Sequence, residues 1–331
     1  ALEILVTAET ARSRLDGAGA ERLRAGSWRV IVVGAGGWLG LATLELLHGL
    51  FGQDFHRHVA CFGSNSRTLS LRGGLEVEQQ ALQALGELTP APSLVLHLAF
   101  LTQEKAKAMS EDAYVEANRA ISRRVLEALD PLGAEGLFLP SSGAVYSIDH
   151  SGPERSKQLY GSLKREDEDR FAAWAEERGA KVVIARVFNL SGPYINKRSS
   201  YALACFIADA LAGRPIRIAA SRPVYRSYVA ISELMSVVLG ALTDAPAPPL
   251  AFDTAGDDVY EMARIAEMVG NALGHPLGHE RPALRVGDID RYVGDGSTYG
   301  RLRRLYGVTP VGFIDQVRET ARYMAECKDD R

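Results

Sequence analysis

Trp28-Arg29-Val30-Ile31-Val32-Val33-Gly34-Ala35-Gly36-Gly37-Trp38-Leu39-Gly40 is the stretch on which the fold turns. Residues 28–33 are β-branched, apolar and few, which is the signature of a strand buried on both faces of a parallel sheet. From Leu39 to Leu50 the apolar residues recur at helical spacing. The turn between strand and helix is built from Gly34, Gly36, Gly37 and Gly40, with Trp38 and Leu39 opening the helix. Glycines there permit a tight turn and let a pyrophosphate approach backbone N–H groups at the positive helix end. The spacing is G-x-x-G-x-x-G, on Gly34, Gly37 and Gly40, because Leu39 stands where G-x-G-x-x-G would need glycine. A glycine turn of this kind also occurs in unrelated α/β proteins, so it needs support from the rest of the chain.

Working outward, strands are expected near 58–62, 93–99, 136–140 and 181–187, with helices near 111–129 and 160–178. This alternation predicts an α/β fold: a Rossmann-type doubly wound parallel sheet. After Ser191 the texture changes, with Gly192-Pro193 and Gly213-Arg214-Pro215 breaking the chain into shorter pieces. The expected division is therefore an N-terminal helical extension over 1–27, a dinucleotide-binding domain over 28–191 plus 225–255, and a smaller substrate-binding lobe over 192–224 plus 256–331.

The chain has 331 residues, 47% of them hydrophobic and 24% charged, with a formal net charge of -3. No basic excess is present, which argues against nucleic acid and anionic membrane as partners of the whole surface. Three cysteines, Cys61, Cys205 and Cys327, lie far apart with no C-x-x-C pair, so no metal site is expected and the thiols read as reduced. No window resembles a membrane span or a signal peptide, and a cytoplasmic location is the expectation.

Of 12 tyrosines only Tyr160 has a lysine four residues on, Lys164. One helical turn puts both on one face. A phenol near pKa 10 is a poor acid or base at neutral pH, and a fixed ammonium beside it stabilises the phenolate. Upstream, Ser141 and Ser142 end the apolar run 136–140 and face the crevice where such sheets bind ligands. The order of glycine loop, His97-Leu98-Ala99, Asn118, Ser142 before Val145-Tyr146, Tyr160/Lys164, then Arg186-Val187-Phe188-Asn189 with Gly192-Pro193 resembles the extended short-chain dehydrogenases/reductases. These form the NAD-dependent epimerase/dehydratase family, which acts mostly on nucleotide sugars, and the resemblance covers roughly residues 28–260. It implies that Tyr160 is the acid/base, that Lys164 holds the nicotinamide ribose and tunes Tyr160, that Ser142 hydrogen-bonds the reacting oxygen, and that Asn118 supports them. It also implies cofactor contacts from Leu98, Ala99, Ser141 and Val187, and leaves the His97 side chain a structural role.

Dehydratases of the family carry an Asp-Glu pair directly after the active-site hydroxyl; here those positions are Gly143 and Ala144. Double epimerases carry a cysteine close behind the serine, in the place of Ala144. What the resemblance leaves is hydride chemistry by a 4-ketoreductase or a 4-epimerase. Val59 to Leu75 contains no Asp or Glu but does contain Ser64, Asn65, Ser66 and Arg67, which favours NADP over NAD because no acid is present to hold a ribose 2′-hydroxyl. Asn189 matches the family asparagine near the substrate diphosphate, and Arg226, within Tyr225-Arg226-Ser227-Tyr228, matches the arginine that binds it. Arg291 lies where the family places late substrate contacts. The family also pairs through helices like those near 111–129 and 160–178, so a homodimer is expected. Two further readings stand beside this one: a reductase of a non-sugar ketone, and a non-catalytic NADP-binding sensor.

Overall fold

A computed structural model describes residues 13–106, 108–148, 155–244, 250–274, 278–285 and 287–327. Among them an eight-stranded sheet forms from β1 (Arg29–Val33), β2 (Val59–Gly63), β3 (Arg67–Ser70), β4 (Glu76–Ala81), β5 (Ser93–His97), β6 (Ala134–Ser142), β7 (Lys181–Val187) and β8 (Leu250–Asp253). Their order is β8-β7-β6-β5-β1-β2-β4-β3. All neighbours run parallel except β3, which returns antiparallel to β4. The reversal of order between β1 and β5 opens the crevice where such sheets bind ligands.

The segment 67–81, to which the sequence assigns no element, carries two strands. It forms the sheet edge, with Arg67 opposite Gln79. The alternation in Glu76-Val77-Glu78-Gln79 puts Val77 and Gln79 inside and the two acids outside, a half-buried strand pattern short enough to escape notice. β6 extends further than expected, so Ser141 and Ser142 belong to the strand itself and pair with Arg186 and Val187.

Nine longer helices are labelled α1 (Gly17–Ala25), α2 (Trp38–Phe51), α3 (Glu111–Leu132), α4 (Arg155–Arg178), α5 (Ala202–Leu211), α6 (Ile231–Thr243), α7 (Met262–Ala272), α8 (Gly296–Leu305) and α9 (Phe313–Glu326). α3 and α4 pack on one face of the sheet, over a core that includes Ile31, Val95, Leu137, Phe171 and Ile184. On the opposite face, α1, α2 and α6 enclose Val30, Leu47, Phe138, Leu234 and Val238, joined by Tyr299 and Leu302 of α8. A second core gathers residues of α5, α7 and α9 around Phe206, Ile265 and Val317. Tyr160 falls in the second turn of α4, which begins at Arg155 rather than near 160.

Of the expected N-terminal extension, residues 1–12, with Leu2, Leu5 and Val6, lie outside the described residues. The part that follows contains α1, which is docked on α6 by bare backbone. A Cβ on Gly19 would run into the backbone of Leu239 and Gly240, and one on Gly240 would meet the ring of Tyr306. Gly49, exposed in the last turn of α2, has nothing within 4 Å of its own Cβ position. The same substitution should therefore have opposite signs at the two sites. Gly19→Ala is expected to lower stability by about 1–3 kcal/mol, because overpacking against backbone outweighs the gain in helix propensity. Gly49→Ala should raise it by about 0.5–1 kcal/mol. Urea denaturation of both variants is the measurement, and a stabilised Gly19→Ala would contradict the close helix approach.

Candidate active site

The glycine turn is fitted against the end of β5. Gly34 has a φ of +91°, and a Cβ there would lie 2.6 Å from the Ala99 backbone nitrogen. Leu98 N–H donates to the Val33 carbonyl at 2.7 Å, so Leu98 and Ala99 form the second wall of the loop. Gly37 caps α2 without any side-chain hydrogen bond, leaving first-turn N–H groups for an anion. The Trp38 indole turns away and donates to the Pro193 carbonyl at 2.8 Å. Only the backbone of Trp38 and Leu39 therefore stands at the helix start.

Beyond β2, Ser64, Asn65 and Ser66 are exposed, and the Arg67 guanidinium reaches back over Gly36, where a Cβ would collide with it. Ser66 Oγ is tied to the Ala81 N–H at 3.1 Å. Gln79, 2% exposed, donates Nε2 to the Asn65 carbonyl at 2.8 Å. Its Oε1 has no partner and lies 3.2 Å from where a Gly36 Cβ would be. An orphaned buried acceptor between Gly36 and Gly63, beside an unblocked helix N-terminus, suits the polar adenosine end of a nicotinamide dinucleotide. Gln79 is a candidate contact that went unnoticed because β4 itself did.

At the crevice end of β6 the chemistry gathers. The Lys164 ammonium, buried within α4, donates to the Pro140 carbonyl at 2.9 Å and sits 3.8 Å from the centre of the Phe100 ring. Burial pulls its pKa down to about 8, against the opposing carboxylates of Asp167 and Glu168. Tyr160, with Phe100 packed edge-on at 5.5 Å, is within hydrogen-bonding reach of Ser142, and burial together with the neighbouring Tyr292 phenol pushes its pKa up. Tyr160 thus rests as a neutral phenol with a proton to give. Ser142 Oγ accepts from the Ala144 N–H at 3.2 Å and lies 3.4 Å from the Tyr292 hydroxyl.

Behind these groups runs a polar chain, buried at Ser141 and Glu168 and open to solvent at Tyr146. Ser141 donates to Glu168, and Arg186 grips the same carboxylate with Nε and Nη2 at 3.0 and 2.8 Å. Arg186 also reaches the Tyr146 hydroxyl at 2.6 Å, which in turn donates to Asp253 at 2.8 Å. Glu168 stands one turn beyond Lys164, so helical spacing was the signal available for it. Asn118, 1% exposed, accepts from the Leu101 N–H at 2.8 Å and donates to the Tyr114 carbonyl at 3.1 Å. Its amide thus ties the chain after β5 at Leu101 to its own helix α3 at Tyr114, a positioning arrangement. His97 is buried with neither ring nitrogen bonded, and desolvation pulls its pKa down to about 3, which keeps it neutral.

A cavity of about 790 Å³ lies between the sheet's end and α5, lined in part by Asn189, Arg217, Arg222, Arg226, Arg285 and Asp290. Asn189 and Arg226 are thus brought together. Arg226 is held by Asp290 in a two-pronged pair at 2.8 and 3.1 Å. Arg291 departs from expectation: alternation along the short strand Asp290–Tyr292 turns it outward, exposed, 5.9 Å from the Tyr225 ring. The neighbouring Tyr292 is the residue that reaches Ser142.

The profile of the NAD dependent epimerase/dehydratase family matches residues 30–251. The chain is 25% identical over 240 residues to a probable UDP-glucuronate 4-epimerase of Rhizobium meliloti, a match covering 65% of this chain and 69% of that protein. The fold resembles that of a UDP-N-acetylglucosamine 4-epimerase from Methanobrevibacter ruminantium in complex with UDP-N-acetylmuramic acid, with a TM-score of 0.69 and 19% identity over 91% of this chain and 99% of that one. It also resembles a Thermus thermophilus UDP-glucose 4-epimerase in complex with NAD, with a TM-score of 0.65 and 21% identity over 90% and 99% of the two chains. Because the family profile spans well over half of its length, the chain belongs to the NAD dependent epimerase/dehydratase family and is an enzyme of the extended short-chain dehydrogenase type.

Proposed function

We propose that this enzyme moves a hydride to or from C4 of a nucleotide diphosphate sugar, as a 4-ketoreductase or a 4-epimerase, with Tyr160 as the acid/base. The observation that carries the reading is the convergence of Ser142, Tyr160 and Lys164, linked through Tyr292 to a cavity in which Asn189 and several arginines could meet a diphosphate. An apolar ketone would draw nothing from those arginines.

A nicotinamide cofactor bound along the glycine turn supplies the hydride acceptor or donor. Tyr160 then gives its phenolic proton to the C4 oxygen as that oxygen gains charge, or takes the proton from the C4 hydroxyl in the reverse direction. Ser142 holds the same oxygen by hydrogen bond. Lys164, charged below about pH 8, stabilises the phenolate that remains on Tyr160. Gly143 and Ala144 bring no carboxylate to the site, so water elimination has no acid or base from these positions.

Tyr160→Phe should cut turnover on nucleotide sugars by at least about a hundredfold while cofactor binding is nearly kept. In the unaltered enzyme kcat/KM should fall as pH rises through about 8, since deprotonation of Lys164 removes the charge that supports Tyr160. Steady-state rates on a panel of UDP- and dTDP-sugars test both; near-normal turnover by Tyr160→Phe removes that residue from the mechanism.

For the cofactor we infer NADP, supported by Arg67 over Gly36 and by the uncharged Ser64, Asn65 and Ser66. A 2′-phosphate among them gains hydrogen bonds to a charged group, on the order of 1.5–3 kcal/mol. Arg67→Ala should lose most of that advantage with NAD affinity almost unchanged. Calorimetric titration decides, and tighter NAD than NADP overturns the inference and favours the epimerase.

The homodimer we propose would use the outer faces of α3 and α4, which carry the ion pairs Arg119–Glu166, Arg123–Glu116 and Arg155–Glu111 rather than apolar side chains. Such a charged face implies association that weakens with salt. Light scattering should give twice the 35.9 kDa chain mass at low salt and less at 0.5 M, roughly a 4 Å Debye length. A monomer at every salt concentration excludes it.

A further inference from the structure

Two parts of the chain lie outside residues 30–251, the stretch that carries the family's pattern, and they grip each other. One is the segment 13–25 with α1; the other runs from Tyr306 into α9. Ser13 donates to the Glu319 carboxylate of α9 from both its N–H and its hydroxyl. Asp16 accepts from the Thr309 N–H at 3.0 Å, and the Ala18 N–H donates to the Tyr306 carbonyl at 2.8 Å. On its other side the same segment holds α6. Arg22 donates to the Gly240 carbonyl at 2.9 Å and to Thr243 at 3.1 Å, and the Asp16 N–H donates to Ser236 at 3.1 Å. The segment is thus a bracket between a helix that covers the sheet and the last helix of the described chain.

The start of α1 is shaped for this grip rather than for its own helix. Asp16 stands at the N-cap, where an aspartate ordinarily accepts from an N–H of its own first turn. It makes no such bond, and its carboxylate goes to Thr309 instead. Gly17, the next residue, has a φ of +71°, and a Cβ there would fall 2.4 Å from the Tyr306 carbonyl oxygen. Held in this way, α9 carries contacts to the substrate side. Gln316 Oε1 accepts from Ser191 Oγ at 2.7 Å, and Thr320 Oγ1 accepts from the Gly192 N–H at 3.0 Å. Gln316 Nε2 donates to the Tyr228 carbonyl at 3.4 Å. Leu190–Ser191 pairs in turn with Val229–Ala230. The two short strands form a shelf whose neighbours in the chain, Asn189 on one and Arg226 and Tyr228 on the other, line the cavity of about 790 Å³.

We propose that residues 13–25 are a positioning element of the substrate site: by fixing α9 against α6 they hold Asn189 and Arg226 at the spacing a nucleotide diphosphate sugar needs. This rests on the nucleotide-sugar reading above. Among the described residues no hydrogen bond joins 13–25 to the glycine turn or to Arg67, so the cofactor site should be spared. The test uses Ser13→Ala/Asp16→Ala in the full chain, which opens the grip on α9 and keeps α1 docked on α6. By calorimetry the cofactor-loaded variant should bind UDP-glucose or dTDP-glucose, whichever the unaltered enzyme binds, about five- to tenfold more weakly, the worth of one neutral hydrogen bond. NAD and NADP should stay within about twofold. Hydrogen exchange at the Gly192 and Val229 amides should quicken about tenfold, with Ile31 and Val95 in the sheet unchanged. Asp16→Asn, which keeps an acceptor for Thr309, should remain close to the unaltered enzyme. Unchanged exchange at Gly192 and Val229, faster exchange throughout the sheet, a sugar affinity that holds while the shelf loosens, or a cofactor affinity that falls with it overturns the inference and leaves the nucleotide-sugar reading standing. An unaltered enzyme that binds neither sugar overturns both.

Discussion

The burial of one ammonium group organises this site. An unpaired lysine would not stay charged inside a protein, because desolvation costs several kcal/mol. Desolvation pulls the Lys164 pKa down, and the carboxylates of Asp167 and Glu168 oppose it and leave it at about 8, while the Pro140 carbonyl and the face of Phe100 hold the ammonium in place. Each partner comes from a different part of the fold. Pro140 can point its carbonyl inward because β6 runs on to Ser142, Phe100 arrives from the chain after β5, and the acids follow on α4 itself. A charge that needs all of these at once fixes the relative placement of β5, β6 and α4, and with them the Tyr160 phenol.

The acids that support Lys164 are in turn held in place. Glu168 is bound by Arg186 from β7 and by Ser141 from β6, and Arg186 continues through Tyr146 to Asp253 on β8. Three adjacent strands are thus tied across their crevice ends by side chains as well as by backbone. Because Ser141 and Ser142 are consecutive on an extended strand, they face opposite sides. The first is anchored in the polar chain and the second is presented to the crevice. Asp253 also accepts from the Asp295 N–H at 3.1 Å, at the start of α8, so the chain reaches the segment that carries Tyr292.

Much of this was legible in the sequence, for a physical reason. The glycine turn, the apolar strands and the Tyr160/Lys164 spacing are local features, set by residues close together in the chain, and each appears in the structure. What was not legible depended on long-range pairing. Arg67 is legible as a cofactor candidate, but its strand is not, and only the folding of β3 against β4 brings it over Gly36 and gives Gln79 a visible role. Arg291 and Tyr292 are indistinguishable by position in the sequence. Only the register of a three-residue strand decides which faces Ser142, since a shift of one residue exchanges the faces.

That same strand carries a constraint on how ligands enter. Asp290, two residues before Tyr292 and on the same face, already occupies both prongs of Arg226. A diphosphate that takes Arg226 must compete with this carboxylate, so part of its gain is offset by breaking an existing pair. Arg222 lies within 3.4 Å of Asp290 and pairs with Asp288 as well, which gives the displaced carboxylate a cation to turn to. A monoanion would gain little from such an exchange, whereas a dianionic diphosphate would offset more of the broken pair. On the proposed reading the pairing would raise the threshold for weakly charged ligands, and discrimination by charge would then belong to the strand that also brings Tyr292 to Ser142.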